Sequence, residues 1–379
     1  MAEQRTVQQA IDEYIATLEV PLRELNKKIH ENPELAYEEH HAHDTLCAFL
    51  ESLNIPSVTK DGVSISTPNM MLYPKSDMRG HNLIATASVT GFLALAYAIK
   101  KFGLPGQAQL LGTPAEEDGG GKIDLITAGA YKKVDLSLMI HPMSEDEFLD
   151  RKATGIAGRS SISLYDIICT YEGEGVNALD AIVMAYNGIS MQRQQIRPDE
   201  RIHGAIVQAP SITNAIPELT KTKYTVRSPT IKGTKVLGER VRRCLEAGAL
   251  ATGCKVKLKE STIYADLVVN SSLCEEFAQK MADQGDRILQ MDNVPMAGST
   301  DQGNVSHLVP ALHGLVGIPV SDGAKNYTHE FTAAAGTDTA HTRIVRAGKA
   351  MAMTGWRYLI DDDFCGRVTQ DFNRRTALN

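Results

Sequence analysis

Between residues 6 and 30, apolar side chains recur every three or four positions: Val7, Ile11, Tyr14, Ile15, Leu18, Leu22, Leu25 and Ile29. That spacing predicts one amphipathic helix. A turn at Asn32-Pro33 precedes a second helix from about Glu38. His40, His41 and His43 stand at its start, but the adjacent pair cannot share a helix face, so the three read as a solvated helix start. Residues 58–78 alternate without a clean strand pattern and carry Pro68 and Pro74. His81 follows, and Asn82 can cap a helix over residues 83–101. The apolar run there is interrupted by Thr86, Ser88, Thr90 and Gly91, which predicts a buried helix. Next come a strand over 107–111, a helix over 123–131, and a second apolar strand over 134–140 ending in His141-Pro142. Strand, helix and strand in that order predict a right-handed βαβ unit with a parallel pair.

The pattern changes near Gly155. SSISLYDIICTYEG alternates like an antiparallel strand, 176–195 is helical, and two strands flank a Pro turn before Thr230. A helix over 235–252 and a strand over 255–264 follow. Strand, helix, strand, strand, helix, strand is the order of a ferredoxin-like α+β module. It reads as an insertion, residues 158–264, in a discontinuous domain of residues 1–157 and 265–379. Beyond it come a helix over 271–284, a polar loop leading into an apolar strand, and a long helix over 337–359.

Chemistry concentrates where these strands end. LLGTPAEE, residues 110–117, is a short apolar strand that turns at Pro114 and presents Glu116 and Glu117; Asp118 and three glycines follow. In open α/β sheets ligands bind beyond the carboxyl ends of the strands. Two carboxylates there can divide the work, one binding a metal and one moving protons. His141 ends the neighbouring strand at the same sheet edge. His81 stands at a helix N-terminus, where the macrodipole favours the neutral imidazole that ligates a metal. The set resembles a His/Glu/His zinc site.

A chain of 379 residues is long enough for two domains. A net charge of −7 gives no basic footprint, which argues against nucleic acid as a partner. No apolar signal core opens the chain, and no uninterrupted apolar run is long enough to cross a bilayer, so no membrane partner is expected. The six cysteines lie far apart without a CxxC pair. Reduced thiols in a cytoplasmic protein are the expectation.

The motifs resemble the aminoacylase/carboxypeptidase family of zinc-dependent metallopeptidases, peptidase family M-twenty, in the amidohydrolase branch that includes Xaa-Arg dipeptidase-like proteins. HENPELAYEEHHAH is similar to the family's opening segment, GHNLIATASV to its metal-bearing helix start, and GTPAEEDGGGK to its twin-glutamate loop. LMIHP matches the next ligand, GSTDQGNVSH a late active-site loop, and EFTAAAGTDTAH the closing segment. The resemblance implies an α/β fold: a three-layer catalytic domain with a mostly parallel sheet, plus an inserted ferredoxin-like lid. It implies a homodimer formed through that inserted domain and a small amide or dipeptide substrate. Position by position, Glu116 corresponds to the general base, and Glu117, His81 and His141 to metal ligands. Asn214 and Arg227 stand where the family places substrate-contacting groups, and a fold role suits each equally. The implied reaction is metal-assisted hydrolysis, with Glu116 taking a proton from water and returning it to the leaving amine.

The chain also departs from the family pattern. The strand with a bridging Asp and an Ala-Cys-Gly-His junction is missing, and Arg79 stands in place of a ligating Cys; a guanidinium cannot coordinate zinc. A Gly-x-x-Ala-His-Ala segment is missing before the lid helix, where Gly173-Glu174-Gly175 leads directly to Val176. Tyr327 occupies the last ligand's position. His329, two residues on, faces the same way if the segment is a strand, and so could substitute. His81, Glu117 and His141 suffice for one zinc with an open water position, not evidently for two; another divalent metal suits the same donors. Two functions stay open: an amidohydrolase of dipeptides or N-acyl amino acids, and a non-hydrolytic binding or scaffold protein or metal-free acid–base enzyme.

Overall fold

The structure, a computed structural model, describes residues 2–34, 36–55, 59–60, 63–64, 80–117, 119–292, 294–296 and 298–376. Arg79 and most of 58–78 lie outside the described residues. Packing divides the chain into two compact units. The larger holds residues 1–160, 268–295 and 304–378; the smaller holds 161–267 and 296–303.

The larger unit begins with α1 (Ala2–Thr17), α2 (Glu19–Glu31) and α3 (His40–Ser52). The single helix expected over 6–30 is therefore two. Pro21 supplies no N–H and its ring would meet the carbonyl of Thr17, where α1 ends. The start of α3 is capped from upstream, since the Glu34 carboxylate accepts from the His41 and Ala42 amides at 2.7 and 2.9 Å. Two-residue strands β1 (Thr59–Lys60) and β2 (Val63–Ser64) form a separate antiparallel pair. Next come α4 (His81–Phe102), α5 (Gly121–Thr127), β3 (Ser137–Ser144) and β4 (Gly155–Arg159).

The smaller unit follows as β5 (Ser163–Glu172), α6 (Ala178–Met191), β6 (Arg201–Gln208), β7 (Leu219–Ser228), α7 (Ile231–Thr252) and β8 (Lys255–Glu260). Its antiparallel sheet has the order β6-β7-β5-β8, as a ferredoxin-like module requires. The pattern predicts this well because β5 and β7 bury every second residue. Those inward residues, among them Ile167, Tyr171 and Val226, pack on Ile182, Leu237 and Leu245 of the two helices.

The chain then returns through α8 (Ser271–Ala282), β9 (Ile288–Asp292), α9 (Gln302–Ser306), β10 (Ala311–Ile318), α10 (His329–Ala335), α11 (Asp338–Ile360) and α12 (Asp362–Thr376). The larger unit's main sheet has the order β3-β10-β4-β9. Strand β10 runs parallel to β3, β4 parallel to β9, and only β10–β4 is antiparallel. The mostly parallel sheet and the separate antiparallel sheet give the expected α/β class. Strand β10 is buried along its whole length, as a central strand covered on both faces must be.

Helix α4 has the length and apolar character of a membrane span, yet most of it is buried within the larger unit. It packs on α1, α2, α11 and β3. Close approach to α11 depends on glycine: a Cβ on Gly348 would stand 2.6 Å from the Thr90 Cβ. One core cluster joins Leu83, Ile140, Leu312, Phe331 and Met351, and a second joins Val7, Leu22, Leu46, Val89 and Trp356. Each such apolar side chain contributes roughly 1.5–3 kcal/mol by leaving water.

Two expectations about the sheet require correction. Residues 107–111 belong to no strand, so the expected βαβ pair with β3 is not formed among the described residues. A strand needs a ladder partner, and among the described residues β3 pairs only with β10. Strand β3 also continues beyond residue 140, through His141 and Pro142 to Ser144. As the edge strand, it can hold a proline because the missing N–H can face away from the ladder.

Candidate functional site

The twin-glutamate turn folds on itself. The Gly120 and Gly121 amides donate to the Ala115 and Pro114 carbonyls at 2.6 and 3.1 Å, closing the loop at the start of α5. A Cβ on Gly121 would stand 2.1 Å from the Pro114 carbonyl oxygen, so only glycine fits. Ala115 takes φ 54°, a left-handed conformation that L-residues other than glycine adopt at a cost. Its amide donates at 3.0 Å to the carboxylate of Glu39, which is 6% exposed. Burial pushes the Glu39 carboxyl above the usual range, and the Ala115 amide acts against that. The residue that shapes the turn is thus supplied by the N-terminal segment just before α3.

His81 opens α4 and is buried. Before it, Gly80 takes φ 75°, and a Cβ there would lie 2.8 Å from Cγ of Pro142. The two histidine-bearing segments therefore meet at a contact that admits no larger residue. Ligand atoms of His81, Glu116 and Glu117 lie within 4.8 Å of one another. His81 Nε2 is 3.9 Å from Glu117 Oε1. The His141 ring meets that of His81 edge-on, with centroids 5.7 Å apart. His141 Nδ1 lies 2.7 Å from the Pro142 carbonyl oxygen. A carbonyl only accepts, so Nδ1 carries the proton and Nε2 is the nitrogen with the lone pair.

His313 on β10 stacks behind His141 with centroids 6.1 Å apart. Burial, then the neighbouring His141 and Lys122, push its pKa down to about 3, so it stays neutral. Lys122, in the first turn of α5, is fully buried. Glu39, Lys122 and His313 were not singled out by sequence reasoning. The family-like segments around Glu39 and Lys122 carried a signal for those two, whereas His313 lies in an ordinary apolar strand.

The other expected site residues lie differently. Tyr327 takes φ 76° and is 57% exposed. His329 is exposed and begins α10 rather than lying on a strand. Thr328 caps that helix by accepting from the Phe331 amide, which removes the alternation argument for His329 as a substitute ligand. Neither residue belongs to the tight cluster. Asn214 is exposed between β6 and β7, and Arg227 on β7 donates to Ser299 Oγ at 3.3 Å; both belong to the smaller unit.

Residues 75–347 match the model of Peptidase family M20/M25/M40. The chain belongs to this family. It is 34% identical over 391 residues to the mouse Xaa-Arg dipeptidase, covering 92% of this chain and 88% of the relative. It is 22% identical to a p-aminobenzoyl-glutamate hydrolase polypeptide of Escherichia coli strain K12, covering 78% and 73%. Among solved structures, the Bacillus subtilis YXEP protein, described as a dinuclear metal binding peptidase, matches with TM-score 0.60 at 16% identity, covering 89% of this chain and 98% of that one. The donors of the cluster, carboxylate and imidazole, are those that divalent metals bind.

Proposed function

We propose that this protein is a metal-dependent amidohydrolase that cleaves the amide bond of a dipeptide or an N-acyl amino acid. The convergence of His81, Glu116 and Glu117 within 4.8 Å carries the reading. The dipeptidase and the aminobenzoyl-glutamate hydrolase among its relatives support the amide class. His81, Glu117 and His141 would hold one ion, zinc or another divalent metal. When bound, such an ion lowers the pKa of water and polarises a carbonyl. Glu116 then takes the water's proton and returns it to the leaving amine. Glu39 holds the turn that aims Glu116, and the Pro142 carbonyl holds the His141 tautomer. Elemental analysis should find about one ion per chain. Glu116→Gln should keep the metal and lose at least about a hundredfold in turnover. Failure of the metal-free protein to take up zinc, cobalt or manganese would refute the reading.

A second reading, a non-hydrolytic binding protein, is favoured by Tyr327 and His329 lying outside the cluster. Ligand binding that survives a chelator would select it.

We also infer a cytoplasmic homodimer built through the smaller unit. No disulfide joins the six cysteines. Edge strand β6 exposes Ile206 and Val207, and α6 exposes Val183, Met184, Tyr186 and Met191. An exposed edge with apolar side chains is a template for pairing with a second copy.

A further inference from the structure

His81 lies between two residues that are each held from outside α4. On one side is Gly80, against which α10 packs: a Cβ there would meet Phe331 at 3.3 Å and Ala335 at 3.5 Å. On the other is Asn82, which is buried inside α4 rather than capping it. Its side-chain amide donates to the Ala335 carbonyl at 3.0 Å and to Oδ1 of Asn26 in α2 at 3.2 Å. Asn26 closes a ring. Its Nδ2 donates at 2.9 Å to Thr86 Oγ1, which donates at 2.7 Å to the Asn82 carbonyl. Asn26 Oδ1 also accepts at 3.0 Å from Arg23, whose other guanidinium nitrogens reach the Gly336 carbonyl and Asp338.

Asn26, Asn82 and Thr86 are buried where α2 and α4 otherwise meet through apolar residues, among them Leu22, Leu25, Ala85 and Val89. Stability alone does not call for a polar ring there, because apolar residues of the same shape can replace both partners of a buried hydrogen bond at almost no cost. What the ring adds is a fixed position for the start of α4. A capping side chain commonly fixes a helix's first turn; Gly80, at the N-cap of α4, supplies none. We propose that Asn26 is a positioning residue: acting through Asn82, it fixes the first turn of α4 and holds His81 at the Glu116–Glu117 cluster. Its effect on metal affinity rests on the amidohydrolase reading of that cluster. Groups that orient a metal ligand change affinity about 10–100-fold when they are lost.

The test reads two quantities in the folded full chain. One is zinc affinity, by chelator competition. The other is hydrogen exchange, without metal, of the Leu83 amide, which donates to the Gly80 carbonyl at 2.9 Å. Asn26→Ala should weaken zinc binding and speed that exchange, each by about tenfold or more. Asn26→Asp keeps an acceptor for Arg23 and Asn82 and should stay within a few-fold of wild type. Asn82→Ala should cost as much as Asn26→Ala, and combining the two should cost nothing further, since the first acts through the second. Ile11→Val removes a buried methylene from the same core cluster and lowers stability, yet should leave both readouts unchanged. Wild-type zinc affinity in folded Asn26→Ala would overturn the proposal, as would additive losses in the double variant or an equal loss in Ile11→Val. If the wild type takes up no zinc, the amidohydrolase reading falls and Leu83 exchange decides the placement of His81: unchanged exchange in Asn26→Ala overturns it.

Discussion

Glu39 offers the sharpest test of how the site is held together. Its carboxylate accepts from the Ala115 amide at 3.0 Å, and Ala115 sits at φ 54°. Left-handed backbone costs a non-glycine residue about 1–2 kcal/mol. A hydrogen bond to a charged group contributes about 1.5–3 kcal/mol, so this bond offsets the strain of the turn it holds. Glu39→Ala removes the bond and lets the turn relax, carrying Glu116 and Glu117 with it. A loss of about 1.4–2.8 kcal/mol in the site's preorganisation corresponds to roughly 10–100-fold weaker metal binding. Glu39→Gln keeps an acceptor and should lose only a few-fold. Ala115→Gly relieves the strain, so in the Glu39→Ala background it should restore about fivefold, worth about 1 kcal/mol. Zinc affinity by competition with a chromophoric chelator reads all three variants, with circular dichroism confirming the fold. Wild-type affinity in folded Glu39→Ala would refute the argument, as would Ala115→Gly failing to rescue any part of the loss.

Gly80→Ala combines a left-handed φ with a Cβ 2.8 Å from Pro142, so it should lower Tm and weaken zinc binding together; unchanged affinity would separate the glycine from the site. His341 is buried, and burial followed by the Arg23 charge pushes its pKa down to about 4. The unfolded chain then binds the extra proton between pH 6.5 and 4, so stability falls as pH drops through that window, by up to about 3 kcal/mol. Urea denaturation of His341→Gln should show that loss removed. Ile206→Lys with Val207→Lys places like charges on the β6 edge and should yield monomers in sedimentation velocity, the wild type sedimenting as a dimer.

What the sequence disclosed depended on how local each determinant was. The alternation of β5 and β7 and the helical spacing of α7 specify the smaller unit's order without reference to distant residues. Glu116, Glu117 and His141 were singled out because each follows an apolar run that reads as the end of a strand, although β3 continues past His141 to Ser144. The turn around Ala115 could not be, because its acceptor lies far back at Glu39 and pairing at a distance leaves no periodic trace. Residues 107–111 have a strand's composition, but among the described residues no strand pairs with them. Near His329 the signal was present: Thr328 is an N-cap residue, and giving it weight would have predicted α10. Pro21 likewise marked the end of α1.

The pairing of β3 with β10 has a consequence for biogenesis. Ser137 takes its partner from Ala311, so the main sheet of the larger unit cannot close until the last part of the chain has been synthesised. The smaller unit draws all four of its described strands and both helices from the contiguous stretch 161–267, which leaves the ribosome well before β10 does. Low sequence separation favours fast closure and high separation delays it. The inserted unit therefore forms its sheet while β3 and β4 still wait with apolar faces uncovered. In that interval the nascent larger unit is the part that needs a chaperone, and chains arrested before residue 318 would expose that surface permanently.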